Sequence, residues 1–168
     1  LTLIFFLSLA AISYAQQDVR SQWQVNTGNI NVRSDSTVTS QVICTMDKGE
    51  IAEVVSQSYE WRKIRLPKQA SAFINKKFLS LFDEKTAKVS ADNVNIRLSP
   101  NDSSAILGKA KENEVVSILG KTGDWYRIEP TGNSFGWVHS RFLKQADKKA
   151  GEEAARPKAN LPAQEEIT

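Results

Sequence analysis

A chain that meets itself when slid along its own length builds the same small fold more than once, and here the offset is fixed. Shifted back by 64 positions, residues 89–143 fall on residues 25–79 without a gap. Asn95-Ile96-Arg97 lands on Asn31-Val32-Arg33, Trp125 on Trp61, Ile128 on Ile64, and Phe142-Leu143 on Phe78-Leu79. Apolar character is kept at Val32/Ile96, Val42/Ile106, Ile43/Leu107, Ile51/Val115, Val54/Ile118, Val55/Leu119 and Ile74/Val138. Two copies are too few for a stacked solenoid, in which each unit buries its apolar face against neighbours. The reading is therefore two similar small domains.

Each copy alternates polar and apolar residues over short runs, as in Asn29-Ile30-Asn31-Val32-Arg33 and Asn93-Val94-Asn95-Ile96-Arg97. That period belongs to a half-buried strand. Further strands are expected over 41–46, 51–55 and 61–66, and at the corresponding places of the second copy. The turn Asp47-Lys48-Gly49-Glu50 is matched by Lys111-Glu112-Asn113-Glu114. Gly and Asn are the residues that most readily accept a left-handed backbone, so this exchange preserves the turn. Five or more short strands in fewer than 60 residues imply an all-β chain of two small barrels. The boundaries expected from the repeat are 23–82 and 89–144, joined by a linker at 83–88.

The flanks read differently. Residues 1–12 are almost wholly apolar, and Ser13-Tyr14-Ala15 places small residues before a cleavage point, the pattern of a signal peptide over 1–15. The run is shorter than the roughly 20 residues a membrane-spanning helix needs, so an exported chain with no transmembrane segment after cleavage is expected. Residues 145–168 are rich in Ala, Lys, Glu, Gln and Pro and carry no aromatic residue, which predicts a disordered or weakly helical tail.

The order of these motifs resembles the bacterial SH3 (SH3b) family, seen twice. The residues that carry the resemblance are Asn-hydrophobic-Arg at 31–33 and 95–97, the apolar pairs at 42–43 and 106–107, and the Gly49-Glu50 turn. Aromatic strand starts at Trp61 and Trp125-Tyr126, the Gly136-Trp137-Val138 run and the closing Phe-Leu pairs complete it. The first copy departs from the family at Ala72-Phe73, where Gly-Trp is usual, and at Arg62, where an aromatic is usual. The resemblance implies tandem SH3-like barrels. It also implies a non-catalytic role in the cell envelope, periplasmic or extracellular, holding peptidoglycan or its peptides between the first loop and the aromatic strand starts. A pair of protein-interaction domains bound to a cell-envelope protein is the alternative. Another is the targeting half of a cell-wall hydrolase whose catalytic domain lies outside this chain.

The inventory of reactive side chains fits a binding module. The chain holds one His and one Cys, and His139 and Cys44 lie in different copies, so neither a His-rich metal site nor a Cys-His pair within one copy can be assembled. No cofactor is implied. Cys44 aligns with Gly108, a position that reads as tightly packed. Candidate ligand-binding residues are Trp125, Tyr126, Phe135 and Trp137, with Trp61 in the first copy, because flat rings accept sugar faces and peptide backbones at low entropic cost. Trp125 and Trp137 could equally cover the open end of a barrel. Asn31, Arg33, Asn95 and Arg97 read as residues that hold the first loop by bonding to its backbone. The formal net charge is +3, and residues 17–79 carry its excess, nine Lys and Arg against six Asp and Glu. Arg62, Lys63, Arg65, Lys68, Lys76 and Lys77 supply most of it, a candidate face for an anionic polymer or an ordinary solvated surface. So modest a charge on an exported chain argues against nucleic acid.

Overall fold

The computed structural model describes residues 21–146. The expected signal peptide, and the expected tail beyond 146, lie outside the described residues.

The described chain is all-β apart from two single 3-10 turns, and no helix in it is long and apolar enough to cross a membrane. Its first strands are β1 (Ser21–Val25), β2 (Ile30–Arg33), β3 (Val42–Met46), β4 (Ile51–Ser58) and β5 (Trp61–Arg65). There follow β6 (Ala72–Asn75), a 3-10 turn at Lys76–Phe78, β7 (Leu79–Leu81) and β8 (Thr86–Val89). The remainder is β9 (Val94–Arg97), β10 (Ile106–Ala110), β11 (Val115–Thr122), β12 (Trp125–Ile128), β13 (Phe135–His139), a second 3-10 turn at Ser140–Phe142, and β14 (Leu143–Gln145). Burial alternates along them, buried then half-buried in β6 and β9 and the reverse in β13, as one-sided packing requires.

The two sheets do not divide where the repeat divides. One has the order β14-β1-β4-β5-β13-β2-β3, the other β10-β9-β6-β12-β11-β8-β7. The second barrel is thus a continuous segment from β6 to β12. The first is made of β1–β5 and then, after that whole segment, β13 and β14. Each repeat gives its last strands to the other barrel. The expected division into 23–82 and 89–144 describes the sequence copies, whereas each sheet draws on both. The expected linker 83–88 is part of a hairpin: Leu79–Leu81 pairs with Thr86–Val89. Its turn is held by Asp83, whose Oδ1 accepts from the backbone N–H of Lys85 (2.7 Å) and Thr86 (2.8 Å).

The exchange is reciprocal to the hydrogen bond. Ser140 N donates to Glu60 O at 2.7 Å in one barrel, and Lys76 N to Asp124 O at 2.8 Å in the other. Asn26 N donates to Phe142 O, and Ser90 N to Phe78 O. All four bonds join one repeat to the other. The second core, built on Ile74, Val89, Ile96, Val116 and Ile128, lies wholly within the continuous segment. The first combines Val25, Val32 and Ile64 with Val138 and Leu143, and takes Leu107 from β10 as well. Where the chain returns to the first barrel, Leu66 N donates to Ser134 O at 2.9 Å, and Ser134 also bridges Gly108.

Candidate functional site

Grooves in the two barrels occupy equivalent places. The first, of about 280 Å³, is lined by Asn29, Asn31, Arg33 and Trp61, and by His139, Arg141 and Phe142. The second, of about 270 Å³, is lined by Asn93, Asn95, Arg97 and Trp125, and by Asn75, Lys77 and Phe78. Within each list the last three residues come from the opposite repeat. Both grooves are therefore composite, each joining residues of the two repeats.

Local chemistry builds the walls. Asn29 and Asn93 adopt φ of 59° and 57°, the left-handed conformation that Asn tolerates, and turn the chain into β2 and β9. Arg33 Nη1 donates to Ser40 O at 2.7 Å, and Arg97 Nη1 to Ser104 O at 2.8 Å, so each arginine ties down the loop after its own strand. The opposite wall is the 3-10 turn. Asn75 Oδ1 caps one such turn by accepting from Lys77 N at 3.1 Å, and His139 Nδ1 does the same for Arg141 N at 3.4 Å. The His139 ring lies 5.3 Å from Trp61 and 6.1 Å from Phe142, and its Nε2 faces Glu60 Oε2 at 3.5 Å. At the other groove, Lys76 pairs with Asp124 at 2.6 Å. The hydrogen bond and the charge of Lys76 hold the Asp124 carboxyl below the usual carboxylate range, and the same contact raises Lys76. Both groups are exposed, so the pair adds little to stability.

The grooves differ in charge. Among its lining residues the first has Arg33, Arg141 and His139 and no carboxylate. The second sets Arg97 and Lys77 against Asp92 and Asp102. The first presents itself to an anionic or neutral ligand, the second to a zwitterionic one.

The candidate aromatic residues are dispersed. Trp61, half-buried, and Trp125, 8% exposed, line separate grooves. Tyr126, its neighbour on β12, turns away from the groove and lies beside Lys121 and Leu119. Phe135 and Trp137 belong to the first sheet, opposite Arg65 and Lys63, and Trp137 also pairs with Arg33. Asn31, Arg33, Asn95 and Arg97 all line grooves.

The basic residues also separate. Arg62 stacks over Trp23, Lys63 over Phe135 and Trp137, and Arg65 pairs with Glu53 at 2.7 Å. Lys68 is exposed in the crossover between barrels, and Lys76 and Lys77 follow β6 into the second barrel. They do not make one face. Asn75, His139 and Arg141 line grooves without having been candidate site residues in the sequence reading, and Lys77 entered it only as part of the basic set. Their only signal was a polar residue three positions before each closing Phe, at Asn75 and His139, which is the cap of the 3-10 turn.

Cys44 is half-buried in β3. Burial, and then the charge of Glu50, push its thiol up to about 11, so it is a poor nucleophile in the folded chain.

Profiles described as bacterial SH3 domain match residues 26–80 and 92–144. The chain belongs to the bacterial SH3 domain family. Among curated proteins none matches. Bacterial SH3 domains are typically non-catalytic binding modules, often of cell-wall components. In this pair of SH3 domains the matched segments are the sequence copies, and the barrels are assembled across them.

Proposed function

We propose that this pair of bacterial SH3 domains is an exported cell-envelope module that binds peptidoglycan, or the peptides of peptidoglycan, in its two composite grooves. The observation that carries the reading is the recurrence of one groove architecture in both barrels. Each has a tryptophan at the start of a strand, an arginine-tied loop on one side and a capped 3-10 turn with a phenylalanine on the other. A half-buried ring flanked by amide side chains suits a short peptide or sugar, giving apolar area from the ring face and hydrogen bonds from its surroundings. The apolar run over 1–12 supports export to the periplasm or beyond.

The test is co-sedimentation of the whole chain with purified peptidoglycan across a salt series, beside Trp61→Ala and Trp125→Ala. Each variant is first checked by circular dichroism, because Trp125 is also packing. Expected is sedimentation that persists at high salt and weakens most in Trp61→Ala, where the ring is more accessible. Binding abolished by salt alone would transfer the interaction to the scattered lysines and arginines. Absence of sedimentation at every salt concentration would overturn the proposal and leave a protein partner as the reading to pursue.

A further inference from the structure

Between the barrels lies a third depression, of about 410 Å³, that belongs to neither groove. Lys63 and Phe135 of the first barrel form one side; Ile106, Lys109 and Lys111, on and just after β10, form the other. No carboxylate lines it. None of the three lysines forms an ion pair among the described residues. The acids nearest Lys111 lie outside the lining: Glu114 accepts from the backbone N–H of Lys111 at 3.0 Å and Asp92 from that of Glu112 at 3.4 Å, while Glu53 pairs with Arg65.

The two sides are held in place. Leu107, between Ile106 and Gly108, is buried in the first core although β10 belongs to the second sheet. The backbone of Asn133 lies so close over Gly108 that a Cβ there would collide with its carbonyl. Lys63 on one side and Lys109 and Lys111 on the other therefore border one depression over a packed seam. Three lysines around a depression with no carboxylate in its lining give it a positive potential that favours an anion. Lysine is a hydrated point charge with rotatable donors, suited to a repeating anion without the fork geometry arginine imposes. The Asn93 and Asn133 amides add donors and acceptors for hydroxyl groups, and the Phe135 ring and half-exposed Ile106 add apolar surface.

We propose that this inter-barrel cleft binds an anionic saccharide, a sugar chain bearing carboxylate or phosphate groups. The cleft does not depend on the grooves, so their reading can fail without affecting it. The test is calorimetric titration of the intact chain with three probes: a galacturonic acid decamer, an oligomannose phosphate, and the neutral maltodecaose. Expected is binding of one or both anionic sugars, the arm that binds identifying the anion, and none of maltodecaose. Lys109→Glu/Lys111→Glu, at exposed positions, should weaken that binding about tenfold or more, as reversal of two adjacent charges implies. Trp61→Ala and Lys68→Glu/Lys121→Glu should stay within about twofold of the parent. Amide shift changes in the unaltered protein should centre on Lys109, Lys111, Asn133 and Phe135, a readout independent of any variant's fold. Equal loss in the Lys68/Lys121 variant, unchanged binding in the Lys109/Lys111 variant, or equal binding of maltodecaose would overturn the proposal. So would failure of both anionic sugars while phosphatidylglycerol vesicles bind through the same lysines.

Discussion

The strand that closes the first barrel carries Gly136-Trp137, and the strand that closes the second carries Ala72-Phe73 in the same register. Gly136 sits opposite Ile64, and Ala72 opposite Ile128. A Cβ at Gly136 would lie 2.5 Å from Val32 Cγ1, 2.9 Å from Leu66 Cδ2 and 3.1 Å from Ile43 Cδ1. Val32 is stiff about χ1, so it has little room to yield. Ala72, by contrast, is fully buried as it stands. In its barrel the counterpart of Ile43 is Leu107, which is turned into the first core instead. A methyl group at Gly136 would therefore crowd the first core, while the second accommodates Ala72; the two strands also differ at Phe73/Trp137, Ile74/Val138 and Asn75/His139. Repeats that share a fold risk pairing with the wrong partner, and a closing strand with alanine in place of Gly136 would overpack the first core.

The largest consequence concerns which segments fold. Residues 72–129 contain the whole second core and should give a dispersed amide spectrum alone. Residues 21–82 lack Val138 and Leu143 and should not. If 21–82 and 89–144 fold as separate units while 72–129 does not, each copy closes its own barrel and the comparison collapses. In the intact chain, proteolysis within 83–85 should leave both fragments bound together, because it opens only the turn between β7 and β8.

Next in size is the thiol. Cys44 occupies the position held in the other barrel by Gly108, and its pKa is raised from 9.0 to about 11. Its alkylation near pH 8 should be about a hundredfold slower in the folded chain than in urea. A thiol whose pKa is raised by folding stabilises the fold below about 9 and loses that contribution as pH rises through about 11. Cys44→Ala should flatten the fall in Tm over that interval.

Smaller again is Gly136→Ala, which should cost about 1–3 kcal/mol in urea unfolding, the range for overpacking a filled core. Equal stability of the substituted protein would mean the first barrel has slack, and the methyl argument would fail. The smallest effect is expected at the β4–β5 turn. There Tyr59, 97% exposed, is held at φ 49°, where the second barrel has Gly123 at φ 56°. Tyr59→Gly should stabilise by about 0.5–1 kcal/mol, the left-handed strain removed less the entropy glycine adds to the unfolded chain. A loss would show that the ring makes contacts that outweigh its strain.

Much of this architecture was legible in the chain, and the illegible part has a definite cause. Alternation around Ile30-Asn31-Val32 and Val94-Asn95-Ile96 fixes strands because burial on one face is a local property. The 64-residue offset fixes how many domains there are. Which strand joins which sheet is not local: it rests on pairings such as Gly136 with Ile64 and Ala72 with Ile128, far apart in sequence. Asp83-Glu84-Lys85 reads equally well as a linker or as a hairpin turn, and only the pairing of Leu79 with Val89 decides. The same step separated the aromatic residues. Trp61 and Trp125 begin strands that stay within their own copies, and each lines a depression there. Phe135 and Trp137 travel with β13 into the first barrel, away from Trp125, so a cluster drawn from neighbouring sequence does not form.

The pairing of β1 with β14 also sets how the protein responds to tension. Trp23 pairs with Gln145 and Val25 with Leu143, so the two ends of the described chain leave side by side. A pull applied through residues 21 and 146 peels this short ladder open one pair at a time, the weakest way to load a sheet. The second barrel lies inside the loop that the ladder closes, and it carries no force until the first has given way. Under such a load the molecule yields first at its clasp, and the groove containing Trp125 outlasts the one containing Trp61.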